Sequence, residues 1–424
     1  MKYLDYSRMN KSKQKLVPKL RFPEFKEDGE WNYLNGNKLF KTISNKNHNS
    51  DLPILAITQD QGAIPREDID YHVSVSKKSV ESYKVVEIGD FIISLRSFQG
   101  GIEYSEYKGI CSPAYIILRK KKNTVLDAFY KQYFKTNLYI SHLNKNLEGI
   151  RDGKMVSYKQ FSDIKIPEPN PKEQQKIAAC LSSLDKLIKA HKDKLAALQR
   201  HKKGLLQNLF PQEGHNVPKH RFKEFENDGE WVEKKLGDYL LQNPEYGIGA
   251  AAVPFDNKLP TYLRITDISE NRTFISENKV SVDAEVTDSQ YLVEDDIVFA
   301  RTGASVGKSY RYKNEDGRLV FAGFLIRVKP NIKKIKSEFI FQFLSTNQYW
   351  DWVRKVSARS GQPGINAKQY NSMPIKVPLR IQEQQKIAAC LASVDNLITA
   401  QQEKLNQLAQ YKKGLLQGLF PKVD

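Results

Sequence analysis

One stretch occurs twice in this chain, and every reading of the fold has to accommodate it. Residues 173–211 read EQQKIAACLSSLDKLIKAHKDKLAALQRHKKGLLQNLFP, and residues 383–421 read EQQKIAACLASVDNLITAQQEKLNQLAQYKKGLLQGLFP. Roughly 26 of about 39 positions are identical, so the chain is an internal repeat before it is anything else. In the first copy Ile177, Leu181, Leu184, Ile188, Leu195, Leu198, Leu205 and Leu209 recur at alternating steps of four and three, interrupted by His191 and Lys202. In the second copy Ile387, Leu391, Val394, Ile398, Leu405, Leu408, Leu415 and Leu419 follow the same steps, interrupted by Gln401 and Lys412. About five heptads of this kind predict a coiled-coil seam on a helix roughly 55 Å long. The two seam lysines either set the register or snorkel off the seam edge. Gly204 and Gly414 sit inside the helices, where glycine costs up to ~1 kcal/mol, which points to close approach by another helix.

The repeat unit is larger than the helix. VPKLRFPEFKEDGEW (residues 17–31) returns as VPKHRFKEFENDGEW (residues 217–231), with about 11 of 15 positions identical. Each half is therefore a lead-in motif, a divergent segment of about 140–150 residues and a long helix. We expect a first domain over residues 1–170 with an N-terminal tail, a central helix over 171–211, a second domain over 212–379 and a C-terminal helix over 380–424. Within the divergent segments DLPILAIT, DFIISLR and PAYIILRKK read as strands, as do TYLRITDI, DDIVFAR and FLIRVK. DAFYKQYFKTNLYISHL and SEFIFQFLSTNQYWDWV each read as one helical aromatic stretch. A compact domain keeps its ends close together, so the second helix must run back along the first. The fold class expected is α+β: two mixed α/β domains separated by two long helices forming an antiparallel coiled coil, pseudo-two-fold within one chain.

At 424 residues the length suits two globular units plus the helices, and 40% hydrophobic content supports real cores. The net charge of +18 points to a polyanionic partner, most often nucleic acid. Sparse cysteines (Cys111, Cys180, Cys390) without a CxxC, no long apolar run and no secretory signal core predict a cytoplasmic chain with reduced thiols and no metal site.

Two similar basic modules on a rigid spacer suit a two-part site on duplex DNA, where one face recurs every 34–36 Å or so. Because the modules differ, the two half-sites should differ. Base readout needs hydrogen-bonding side chains on loops. The first-domain candidates are Arg96, Ser97 and Gln99 after one strand, Arg151, Lys154, Ser157 and Lys159 on a later loop, and Gln59, Gln61 and Arg66. Their second-domain counterparts are Arg301, Thr302, Ser305 and Lys308, then Arg359, Ser360, Gln362, Asn366 and Lys368, with Arg264 a weaker choice. Three catalytic look-alikes are set aside. GASVGKS (303–309) is one residue short of a Walker A spacing. NPEY (243–246) lacks the second proline of the amino-methyltransferase motif, and Asp90 with Glu106 and Lys108 has no match in the second half. No catalytic residue is assigned.

The duplicated EQQKIAACL…KKGLLQ.LFP helices, the RFPEFKEDGEW and RFKEFENDGEW motifs and the GQPGINAKQY loop together resemble, over essentially the whole chain, the specificity subunits of type I restriction–modification systems. That resemblance implies two target-recognition domains, an antiparallel coiled coil, and a noncatalytic subunit recognising a bipartite DNA sequence. It further implies assembly with two adenine-methylating modification subunits and two ATP-driven restriction subunits. S-adenosylmethionine, ATP and Mg²⁺ would then belong to those partners, with none bound directly by this chain. A stand-alone bivalent DNA-binding regulator is the alternative.

Overall fold

The computed structural model describes residues 16–69, 80–145, 156–358 and 362–421. The candidates Arg151, Lys154, Arg359 and Ser360 lie outside the described residues. The chain divides into two compact units, residues 1–190 with 405–424, and residues 191–404. Each unit thus takes one half of each long helix, and each has its own core.

In the first unit the strands are β1 (Asn32–Asn35), β2 (Phe40–Ile43), β3 (Leu55–Thr58), β4 (Gly62–Pro65), β5 (Lys84–Val86), β6 (Phe91–Ile93), β7 (Glu103–Tyr104), β8 (Gly109–Cys111), β9 (Ile116–Lys120) and β10 (Lys165–Glu168). Besides the single turns Gly36–Leu39 and Ser97–Gly100, the helices are α1 (Asp127–Tyr133), α2 (Asn137–Lys145), α3 (Tyr158–Asp163) and the first part of α4 (Pro171–Leu209). Strands β2-β9-β6-β7 form one sheet, while β1-β10, β3-β4 and β5-β8 are separate pairs. Apolar residues of β6 and β9 are buried on both faces, Phe91 and Leu118 against α1, and Ile92 and Ile117 against Leu55 and Cys111.

The second unit repeats the plan with β11 (Val232–Lys235), β12 (Glu245–Tyr246), β13 (Ala252–Pro254), β14 (Thr261–Leu263), β15 (Val280–Val282), β16 (Ile297–Ala300), β17 (Ser309–Arg311), β18 (Leu319–Phe321), β19 (Leu325–Val328) and β20 (Pro374–Val377). Its helices are α5 (Ser337–Phe343), α6 (Asn347–Ser357), α7 (Ala367–Asn371) and the first part of α8 (Ile381–Leu419). Sheet β12-β19-β16-β17 corresponds to β2-β9-β6-β7, and β11-β20 to β1-β10. The parallel pairing of β14 with β18 has a vestige in the first unit as the parallel bridge Ile54↔Ile110. All six stretches expected as strands contain one.

Each aromatic stretch expected as one helix is two. Thr136 and Thr346 break them: each hydroxyl donates to the preceding Tyr133 or Phe343 carbonyl at 2.7 Å. Each also accepts the N–H of Tyr139 (3.2 Å) or Tyr349 (3.3 Å), which starts the next helix.

The two long helices run antiparallel, as three polar seam contacts show. Lys412 Nζ donates to Asp185 Oδ1 at 2.5 Å within the first unit, and Lys202 Nζ donates to Asp395 Oδ1 at 2.5 Å within the second. Gln401 Nε2 donates to the His191 carbonyl at 2.9 Å and lies 2.6 Å from His191 Nδ1. The partner number falls as the residue number rises. Each aspartate also accepts a glutamine from its own globular part, Gln132 Nε2 on Asp185 at 2.8 Å and Gln342 Nε2 on Asp395 at 3.0 Å. The seam lysines therefore pair rather than snorkel. Burial pulls Lys202 below the usual lysine range, with Asp395 opposing. The expected seam residues are all buried or half-buried. A neighbouring helix at Gly204 and Gly414 is not observed. They fall two residues past the seam lysines, off the contact line, and a Cβ at either would meet nothing within 4 Å.

The lead-in motif is the clamp of each unit. Arg21 Nε and Nη2 donate to both Glu173 oxygens at 2.8 and 2.9 Å, and Trp31 Nε1 donates to Glu173 at 3.0 Å. Arg221 binds Glu383 in the same fork at 2.8 and 2.7 Å, and Trp231 Nε1 reaches it at 3.3 Å. The other end of the partner helix closes the site: the Phe420 ring meets Trp31 edge-on at 6.3 Å, and Phe210 meets Trp231 at 6.0 Å. Both ends of the repeat are thereby tied into one core per unit, which accounts for their near identity.

Candidate nucleic-acid interface

In the first unit the end of β6 and the β3–β4 hairpin come together. Gln59 and Gln61 stand exposed at the hairpin tip. Gln59 Nε2 donates to the Arg96 carbonyl at 3.3 Å. Lys135 locks the pair of loops from below, donating to the Gln59 and Gly100 carbonyls at 3.0 Å each and ion-pairing with buried Glu103. Gly101 has φ +83 and packs so tightly that a Cβ would lie 2.0 Å from the Phe134 carbonyl oxygen. Nothing near Lys135 in the sequence signals this role, because its partners lie 32 to 76 residues away.

Arg96 and Gln99 are exposed on this rim. Arg66 is half-buried, and its Nη1 finds no hydrogen-bond partner. Ser97 departs from expectation: it is buried, and its hydroxyl accepts the Ser94 N–H at 2.8 Å, so it braces the turn that presents Arg96. Ser157 likewise caps α3 in a capping box with Gln160, leaving Lys159 exposed on the first turn.

In the second unit Arg301 follows β16 as Arg96 follows β6. Its backbone is pinned on both sides, its N–H to the Phe324 carbonyl at 3.0 Å and its carbonyl to the Ile365 N–H at 2.9 Å. The guanidinium lies over the Tyr246 ring at 4.9 Å and donates to the Gly323 carbonyl at 3.5 Å. Thr302 forms a bridge with Gly364, which holds the QPGIN segment (residues 362–366) against it, and exposed Gln362 reaches over Gly303. Gly303 and Gly307 take left-handed conformations that let the loop fold back. Asn366 caps α7, accepting the Gln369 N–H at 2.8 Å, and Lys368 is exposed on the next turn. The N-x-x-Q and S-x-x-Q spacings carried this capping signal in the sequence. Ser305 is half-buried in the turn whose carbonyl accepts the Lys308 N–H. Lys308 is paired with Glu270 at 2.9 Å, and Arg264 forks onto Asp267 at 2.9 and 2.7 Å, so both are partly occupied within the protein.

The motifs set aside in the sequence have structural uses. Asp90 accepts a two-pronged bond from Arg119 at 2.7 Å on each arm. Glu245 of NPEY pairs with buried Arg327, which also faces Asp296 at 3.6 Å. Burial pushes Asp296 up to about 6. Among the described residues no group of three or more His, Cys, Asp or Glu side chains could hold a metal ion, and no helix is long and apolar enough to cross a membrane.

The rims therefore hold a repeated scaffold with different exposed side chains, mostly cationic or amide. Comparison with known proteins gives this arrangement a family. The model of the type I restriction modification DNA specificity domain matches residues 25–200 and again 229–410. The chain is 26% identical to the type I restriction enzyme MjaVIII specificity subunit of Methanocaldococcus jannaschii over 81% of this chain and 80% of that one. It is 24% identical to the MjaX specificity subunit of the same organism over 82% and 80%. Among solved structures, the S subunit of a type I restriction–modification system from M. genitalium superposes with a TM-score of 0.60 at 14% identity, covering 96% of this chain and all of that one. A chain from a type I system solved in a study of complex assembly gives 0.54 at 16% identity, covering 93% and 98%. With the family domain matched twice, once in each repeat, the chain belongs to the type I restriction–modification DNA specificity family.

Proposed function

We propose that each unit reads one half of a bipartite duplex sequence, and that the paired helices set the spacer between the halves and dock the modification subunits. The chain contributes recognition and no catalysis. Two adenine-methylating modification subunits and two ATP-dependent restriction subunits complete the cytoplasmic complex. S-adenosylmethionine, ATP and Mg²⁺ are held by those partners. The observation that carries this reading is the pair of corresponding rims. One sheet plan ends twice in an arginine-bearing loop, once with Gln59 and Gln99 beside Arg96, and once with Thr302 and Gln362 beside Arg301. A duplicated scaffold with different hydrogen-bonding groups on it is what two unlike half-sites require. Arg96, Arg301, Gln59, Gln99, Gln362, Lys159 and Lys368 are the best-placed of the described groups to reach bases or phosphates.

The test is a map of N6-methyladenine in cells expressing the modification subunit with and without this chain. A bipartite methylated motif should appear only with the chain. Exchanging the second unit's divergent segment for that of another family member should change one half of the motif and leave the other intact. A change in both halves, or methylation independent of the chain, would contradict the proposal. Stable DNA binding with no assembly onto a modification subunit would favour a stand-alone regulator.

A further inference from the structure

In the second unit the rim arginine is paired with aromatic rings that the core does not need. Phe324 immediately precedes β19, one step beyond the Ala300↔Leu325 pair, and is 63% exposed. It sits directly across from Arg301, whose N–H it accepts. Tyr246, opposite Ile326 on the far side of β19, is 48% exposed and supports the Arg301 guanidinium with its ring. Its hydroxyl accepts the Ala367 N–H at 3.1 Å, so this ring is fixed in place. In the first unit the residue before β9 is Tyr115, which is half-buried against the core cluster of Leu55, Ile92 and Ile117. The two rims therefore differ, and the exposed ring beside the loop arginine belongs to the second unit.

An isolated exposed phenylalanine is ordinary. This one leads directly into β19 and stands across from Arg301, whose guanidinium is held by the Tyr246 ring and the Gly323 carbonyl. A fixed cation next to an exposed apolar ring matches the major-groove edge of a short base step. The guanidinium can fork onto guanine O6 and N7 while the ring meets a thymine methyl or the face of a partly unstacked base. A docked protein surface would instead be expected to bury a wider apolar area than this single ring provides.

Building on the half-site reading above, we infer that Phe324 is a specificity-determining residue, making the apolar contact to a base next to the one addressed by Arg301. Tyr246 acts through Arg301 as a positioning residue.

The experiment uses the full chain with its modification subunit and a random-sequence duplex pool, selected by binding and sequenced. Phe324→Ala should lower the preference for the favoured base at one position of one half-site by about tenfold and leave the other half-site untouched. Phe324→Leu should retain part of the preference. Tyr246→Leu should flatten the position read by Arg301 without altering assembly. A Phe324→Ala complex that assembles and selects the wild-type sequence at every position would overturn the inference while leaving the half-site reading standing. Loss of assembly with unchanged base preference would assign Phe324 to a protein contact and overturn it as well. If the wild-type complex selected no bipartite sequence at all, both would fall.

Discussion

At the residue scale the strongest single constraint is the glutamate that opens each long helix. Glu173 is 1% exposed in its side chain, and its partner Arg21 is 5% exposed. A buried carboxylate in this position is tolerable only because the arginine fork and the Trp31 N–H satisfy it. Hydrogen bonding to Glu173 raises Arg21 above its ordinary value, so the cation persists throughout the usable pH range. Arg21→Ala would leave the charge uncompensated and should destabilise the first unit by about 3–5 kcal/mol. Urea unfolding followed by amide exchange around Trp31 and the start of α4 measures it. Pairing it with Glu173→Gln in a double-mutant cycle should recover part of the loss, and a loss under ~1 kcal/mol would show that the clamp contributes little. The sequence made the motif visible as a repeated RF..F…GEW but not its purpose, since Arg21 and Glu173 are 152 residues apart. Only the fold brings them together. Ser97 is buried for a related reason: its loop looks exposed in the sequence, and the Ser94 N–H that draws it inward is not a pattern but a geometry.

At the element scale the two long helices were legible almost completely, because a heptad seam is a periodic signal that survives without tertiary information. The side chains that make the pairing specific were half legible. The seam lysines stood out; their aspartate partners did not, since Asp185 and Asp395 flank the seam and each depends on a residue of the other helix. The pairing predicts a charge-swap behaviour that a snorkelling lysine would not show. Asp185→Lys should lower stability by about 2–3 kcal/mol, as two ammonium groups would then face each other and Gln132 would lose its acceptor. Adding Lys412→Asp should restore most of that loss, whereas adding Lys202→Asp should not, because Lys202 serves Asp395. Thermal unfolding of the three variants decides it, and failure of the first rescue would remove register-setting from these residues. The split of the aromatic stretches at Thr136 and Thr346 had a local signal, a threonine before asparagine, that the surrounding helical periodicity concealed.

At the scale of the whole molecule the two units are built to one plan from one chain, and both long helices pass from one unit into the other. Chain connectivity therefore couples whatever the units bind to the length of the helices, which gives the proposed spacer role a direct test. Inserting seven residues into both helices, between Ala190 and His191 and between Lys404 and Leu405, preserves the seam because a heptad returns each apolar residue to the same face. The addition lengthens each helix by about 10 Å, equivalent to at most about three base pairs along a duplex. The methylated motif should keep both half-sites and acquire a longer spacer. Four inserted residues would also lengthen the helices but shift the seam phase beyond the insertion, so that variant should lose stability in proportion to the apolar contacts misaligned. An unchanged spacer in a stably folded heptad variant would mean that the distance between half-sites is set outside the coiled coil, by the partner subunits or by bending of the DNA. Mapping the methylated sites for the two insertions side by side distinguishes added length from lost register.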